Sequence, residues 1–207
     1  MAFDMCSLLQ SGRVAVLLSE VQRSIIGDLS VGPLAEAAQQ AGVAPASAKL
    51  AAAAREQGAP VVHCLAVTDP DRFGSSTNAR LFMAASKRNS SGTAYDPARD
   101  TPCPEVWQEG DVISRRVHGL NPMADNQLDR RLRNSGISTV IVAGVSLNVA
   151  VLNLTMDAVN NGYQVIVARD AVSGFPLDYA GPVMANTLSF ISTLATVDEI
   201  IASWAKG

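Results

Sequence analysis

The chain has 207 residues, 48% of them apolar and 17% charged. That balance excludes disorder as the main state and suits one unit able to bury roughly 70% of its unfolded surface. Net charge is −3, pI is near 5.3, and the 16 Lys and Arg are scattered, so the electrostatic footprint of a nucleic-acid or anionic-membrane partner is missing.

The opening stretch carries Asp4 and no basic n-region, so it does not read as a secretory signal. No apolar run approaches the ~18 residues of a spanning helix. Three cysteines (Cys6, Cys64 and Cys103) are an odd number, widely spaced and without a CxxC pair. Free thiols in a reducing cytoplasm are therefore expected. With only His63 and His118 and no ligand cluster, no metal site is expected either.

In chain order, residues 13–18 form a continuous apolar run, the pattern of a strand covered on both faces. A helical stretch with Ala35, Ala37 and Ala38 follows, broken around Gly42 and Pro45. It resumes over 46–57, with Leu50, Ala53 and Ala54 on one face and Gly58 as the stop. Residues 60–67 read as the second strand. From 68 to 109 no period is sustained, and only 82–85 suggests a helical turn. Such a stretch is usually functional or hides short helices.

Regularity returns with a short strand at 112–114 and a helix over 125–134 with Leu128 and Leu132 on one face. A strand at 139–143, a helix over 148–161 stopped by Gly162, and a strand at 164–168 come next. A helix over 179–190, a last strand at 192–195 and a closing helix through Ile200, Ile201 and Trp204 complete the chain. The alternation predicts a single α/β domain over 1–207, a three-layer α/β/α arrangement with a mainly parallel, doubly wound sheet.

Ligands of open α/β sheets bind beyond the carboxyl ends of the strands. That rule selects Glu20, which ends the first strand, Arg115, Arg116 and His118 after the strand at 112, and the turn Gly144-Val145-Ser146-Leu147-Asn148. Arg115 and Arg116 are adjacent, so on extended backbone they face opposite ways and at most one enters the site. His63 and Cys64 cannot form a dyad for the same reason. No Gly-x-Ser-x-Gly elbow occurs, and the turn lacks the glycine spacing of a dinucleotide or phosphate loop. It does lead into a helix N-terminus, where free N–H groups around Asn148 can hold an oxyanion.

These segments together resemble the isochorismatase-like cysteine hydrolase superfamily over about residues 13–204. The resemblance is carried by Ser19-Glu20-Val21-Gln22, by Gly58-Ala59-Pro60-Val61-Val62, by Gly110-Asp111-Val112-Ile113, and above all by Ala143-Gly144-Val145-Ser146-Leu147-Asn148-Val149-Ala150-Val151. It implies a cis peptide at Val145-Ser146, a dimer or tetramer, and a polar site; the Asp-x-His metal motif of the family's nicotinamidases is missing here, and no cofactor is expected. The family's Asp, Lys and Cys fall on Glu20, Arg116 (or Arg115) and Ala150. The implied catalytic set is Glu20, Arg116 and His118, with Gln22, Arg115, Ser146, Asn148 and Ala150 around the ligand.

An alanine cannot form a thioester. The expected activity is hydrolysis of a small polar or anionic molecule by acid/base chemistry, as in isochorismatases that protonate a vinyl ether. The alternative is a non-catalytic member that binds a small molecule or serves as a structural partner. The only partners implied are that small molecule and further copies of the chain.

Overall fold

The computed structural model describes residues 4–9, 13–67, 71, 73, 75–89, 95–124 and 127–205, with the backbone alone for 85–89. Its centre is a six-stranded sheet in the order β3-β2-β1-β4-β5-β6. The strands are β1 (Val14–Ser19), β2 (Val61–Ala66), β3 (Val112–Arg116), β4 (Thr139–Gly144), β5 (Gln164–Val172) and β6 (Thr193–Ala195), and every pairing is parallel. The order reverses between β1 and β4, so the crevice at the carboxyl ends opens beside those two strands.

Each central strand serves two cores. In β1, Val14, Val16 and Leu18 enter one apolar cluster, and Ala15 and Leu17 enter the other. The first cluster is closed by α1 (Met5–Leu9), α3 (Val43–Glu56) and α9 (Val197–Trp204), through Leu50, Ala54, Ile200 and Trp204. The second is closed by α5 (Leu128–Asn134) and α6 (Leu152–Asn160), through Leu128, Leu132, Leu154 and Ala158. A side chain such as Leu17 or Leu154, fully buried, contributes about 1.5–3 kcal/mol. The three-layer expectation holds.

Several boundaries differ from the sequence reading. Pro45 does not break a helix, because it sits in the first turn of α3, where its missing N–H has no intrahelical partner to lose. Gly42, left-handed at φ +67°, is the joint between α2 (Pro33–Gln40) and α3. The region 68–109 holds α4 (Arg80–Asn89), which contains the turn expected at 82–85 and extends it on both sides, and a 3₁₀ turn at Pro97–Asp100 that was not expected.

β5 runs on to Val172 through Arg169 and Asp170, which face outward, and Asp170 accepts the Val197 N–H at the start of α9. The helix expected over 179–190 is cut into α7 (Ala180–Val183), a π turn at Met184–Leu188 and α8 (Ser189–Ile191). The start expected at 125 lies outside the described residues, and α5 begins at Leu128. Among the described residues no helix is long and apolar enough to cross a membrane.

Candidate active site

The site is built at the exits of β1, β3, β4 and β5. β1 ends at Ser19, whose carbonyl accepts the Val145 N–H at 2.8 Å while its hydroxyl donates to the Val145 carbonyl at 2.8 Å. These two bonds clamp β1 to the turn after β4. Close approach requires Gly144: at φ +106°, a Cβ there would lie 2.0 Å from the Ser19 carbonyl oxygen. Val145 is buried with Ala38 and Val43 from the α2–α3 corner. The Val145-Ser146 peptide is cis, as the resemblance implies, and so is Phe175-Pro176.

Glu20 follows at φ +53°, a left-handed backbone for a non-glycine residue. Such conformations persist where the surroundings hold them, and they concentrate at functional sites. Here the Glu20 N–H donates to the Cys64 carbonyl at 2.9 Å, and the side chain turns to meet Arg116 in an ion pair. The Arg116 side chain is 7% exposed and that of Glu20 12%. Arg116 also donates from Nε to the Gly119 carbonyl at 3.2 Å, and Gly119 is left-handed at φ +77°. Nη1 of Arg116 is buried with no hydrogen-bond partner among the described residues.

The other side of the crevice is the start of the helix after β4. Leu147–Val151 is a π turn, not the regular helical start expected at 148, and it runs into α6. The Ser146 carbonyl accepts from the N–H groups of Val149 and Val151 at 3.0 and 3.1 Å. Leu147 N–H donates to the Ser173 carbonyl at 2.8 Å, and Asn148 Nδ2 to the Phe175 carbonyl at 3.2 Å, so the turn is stapled to the exit of β5. Ala150, 2% exposed, sits inside this π turn and presents only a methyl group.

Of the residues singled out from sequence, the structure joins Glu20 and Arg116 directly. Arg116 is the arginine turned inward; Arg115 is exposed. His118 is exposed in the loop between Arg116 and Gly119. The Gln22 amide is engaged with backbone: Nε2 donates to the Ala66 carbonyl at 2.9 Å and Oε1 accepts the Ala66 N–H at 2.9 Å. Its role here is to join the exits of β1 and β2.

One contributor escaped sequence reasoning, and a residue set aside there lies nearer the pair than expected. The Gly119 carbonyl orients Arg116, and a glycine three residues after a strand-end arginine was the available signal. Cys64 lies in register with Ser19 and feels the charges of both Glu20 and Arg116.

His63, on the opposite face of β2, belongs to a separate network. Its Nε2 lies 2.9 Å from Asp111 Oδ2, and Arg55 donates to both Asp111 oxygens at 3.0 and 2.7 Å. This network ties α3, β2 and the start of β3 together below the site. Among the described residues no group of three or more His, Cys, Asp or Glu stands close enough to hold a metal ion. A cavity of about 750 Å³ lies apart, lined by Asp28, Val31, Ala35, Glu36 and Glu105, with neither Glu20 nor Arg116 in its wall.

Chemically, the arrangement offers one carboxylate that can move a proton, one guanidinium that donates hydrogen bonds but does not give up its proton, and a methyl group at the helix start. The isochorismatase-domain family model matches residues 14–198, and the chain belongs to that family.

An uncharacterized isochorismatase-family protein of Bacillus subtilis strain 168, YwoC, is 35% identical over 74 residues, which are 35% of this chain and 38% of that protein. The match thus spans well under half of that relative's length. The structure of an isochorismatase family protein from Burkholderia thailandensis is similar at TM-score 0.76 and 24% identity, covering 94% of this chain and 97% of that one. A cysteine hydrolase from Pseudomonas syringae pv. phaseolicola gives TM-score 0.79 at 20% identity, covering 96% and 95%. At these identities the structural likenesses establish the fold.

Proposed function

We propose that the chain is a hydrolase that works on a small polar or anionic molecule by acid/base chemistry at Glu20, with no cofactor and no covalent cysteine intermediate. The observation that carries this reading is the buried Glu20–Arg116 ion pair at the strand exits. By the family resemblance this pair occupies the places of the Asp and Lys, and Ala150 that of the nucleophile. Charge is kept at both polar positions and the thiol is replaced.

A reaction that needs a proton and a water, without a nucleophilic side chain, suits that set. On a vinyl ether, Glu20 in its acid form gives its proton to the enol-ether carbon, leaving an oxocarbenium ion. Water then adds to that cation, one of its protons returning to the Glu20 carboxylate, and the neutral hemiketal collapses to the ketone as its hydroxyl proton passes to the departing ether oxygen, which leaves as the alcohol. Arg116 orients Glu20 and binds substrate oxygen; it does not carry the proton.

The test is turnover of isochorismate and of a panel of small amides by the wild-type protein and by Glu20→Gln. That substitution is nearly isosteric and removes only the titrating oxygen. Turnover of one or more of these compounds is expected, with a loss of about a hundredfold or more in the variant and an unchanged circular-dichroism spectrum. A second reading, a non-catalytic binding protein, is favoured by one observation: Arg116 already holds the Glu20 carboxylate. A wild-type protein inert toward the whole panel would support it.

A further inference from the structure

The Arg116 guanidinium has three nitrogens, and the fold uses two of them. Nε is bound to the Gly119 carbonyl and Nη2 to Glu20. Nη1, with two N–H groups, is buried and has no acceptor among the described residues. Leaving a buried charged donor unpaired is costly, and native sites rarely keep one without a use. A lysine here would place one nitrogen opposite Glu20. The arginine adds a second that Glu20 does not occupy.

We propose that Nη1 of Arg116 receives an oxygen of the ligand, and that the site selects small carboxylic acids in their ionised form over their neutral amides. The inference rests on the reading above that this strand edge is the active site. Charge supports an anion over a neutral carbonyl. Glu20 and Arg116 cancel each other, while Arg115, one residue earlier and exposed, makes no ion pair among the described residues. Arg115 therefore adds a positive charge beside the pair that no ion pair among the described residues neutralises. A charge-assisted hydrogen bond in a site sheltered from water is about twice as strong as a neutral one. An amide presents a neutral oxygen to the same donor and brings an NH₂ group in place of the second carboxylate oxygen. Arg116 is then the residue that decides specificity, while Glu20 handles the proton.

The experiment is calorimetric titration of the full chain with acetate, benzoate and succinate, each against its amide, at fixed ionic strength. At least one acid is expected to bind about tenfold or more tightly than its amide. Arg116→Lys keeps the positive charge facing Glu20 but removes the spare nitrogen, and it is expected to bring the ratio below about twofold.

A second measurement does not depend on the variant folding. In wild-type protein carrying ¹⁵N-arginine, one guanidinium should shift as the preferred acid saturates and stay unmoved with its amide. A ratio below tenfold for all three acids, a ratio retained by Arg116→Lys, or saturation with no guanidinium shift would overturn the proposal. Acid binding without any turnover would sink the hydrolase reading and leave this one standing. Turnover of neutral amides with no acid preference would do the reverse.

Discussion

The N–H of Glu20 donates to the carbonyl of Cys64 at 2.9 Å, so the candidate acid and a buried thiol share one rung between β1 and β2. Nearness does not make that thiol a nucleophile. Burial pushes Cys64 up to about 12, against the lowering influence of Arg116 and with a further push from Glu20. Cys103 is pushed up to about 12 as well, chiefly by burial. Thiolate is the reactive form, and both residues hold it back at neutral pH.

Alkylation of the native protein with iodoacetamide should therefore label Cys6, which is only half-buried, and spare the other two. Mass spectrometry reads the stoichiometry, and activity should be retained. Rapid loss of activity from a folded protein, with label on Cys64, would restore a covalent mechanism.

Installing a thiol where the family's nucleophile belongs should not create an amidase. Ala150→Cys would add a sulfur to the π turn, but the place of the family's lysine is taken by Arg116, and a guanidinium cannot relay a proton. The expected outcome is a folded variant with no release of ammonia from small amides. Release at a rate clearly above the wild type would show that the Glu20–Arg116 pair can still activate a nucleophile.

Acid should loosen the network under the site before it titrates ordinary carboxylates. Burial lowers His63 from its usual 6.5, overriding the favourable hydrogen bond to Asp111. The unfolded chain therefore takes up the proton first, and stability begins to fall as pH drops below about 6.5. Burial opposes the Asp111 carboxylate, yet hydrogen bonds from Arg55, His63 and the Gln108 N–H hold it below 3.8 overall. Its contribution is present above 3.8 and is lost as pH falls through that lowered value. Both effects have the same sign. Thermal melts from pH 7.5 to 5 should show a falling Tm, and His63→Leu should flatten that slope. A Tm independent of pH over this window would contradict the assignment.

Gly144→Ala should be among the most damaging single-methyl additions available. The new Cβ would meet the Ser19 carbonyl at 2.0 Å, on backbone at φ +106°. A loss of at least about 3 kcal/mol is expected, read by urea unfolding. Gly58→Ala, also left-handed but with no atom within 4 Å of the new Cβ, serves as the strain-only control. Equal losses in the two variants would mean that the clamp between Ser19 and the turn is not tight.

Assembly is expected, because Met156 and Val159 on α6 and Phe190 on α8 expose apolar surface, Phe190 at 82%. Light scattering at micromolar concentration should report a mass above 21.7 kDa. Phe190→Asp should shift it downward. A wild-type protein of monomer mass at all concentrations would overturn this.

The layers were legible because parallel strands covered on both faces are nearly continuous apolar runs, as in β1 and β4. What stayed hidden has local causes. β5 was read too short because its outward Arg169 and Asp170 break the apolar run while the backbone continues. Of α4 only its apolar centre at 82–85 was visible, between polar ends, and the four-residue turn at Pro97–Asp100 is too short to show a period. The choice between Arg115 and Arg116 could be narrowed by strand alternation but not made, since the facing depends on the register of β3 against β2. Gln22 read as a ligand contact because its amide is polar at a strand exit, and the sequence does not reveal that Ala66 would occupy both ends of it.

That double bond has its own consequence. Gln22 presents an N–H and a C=O to Ala66 as a neighbouring residue of a ladder would, so a side chain supplies one more rung after the main chain of β1 has turned away. The end of β2 at Ala66 is held where this borrowed rung sets it. Glu at position 22 would bring a second acceptor against the Ala66 carbonyl, and Asn would fall one methylene short. Either change reaches the crevice through the path of the backbone alone, with no contact to a ligand.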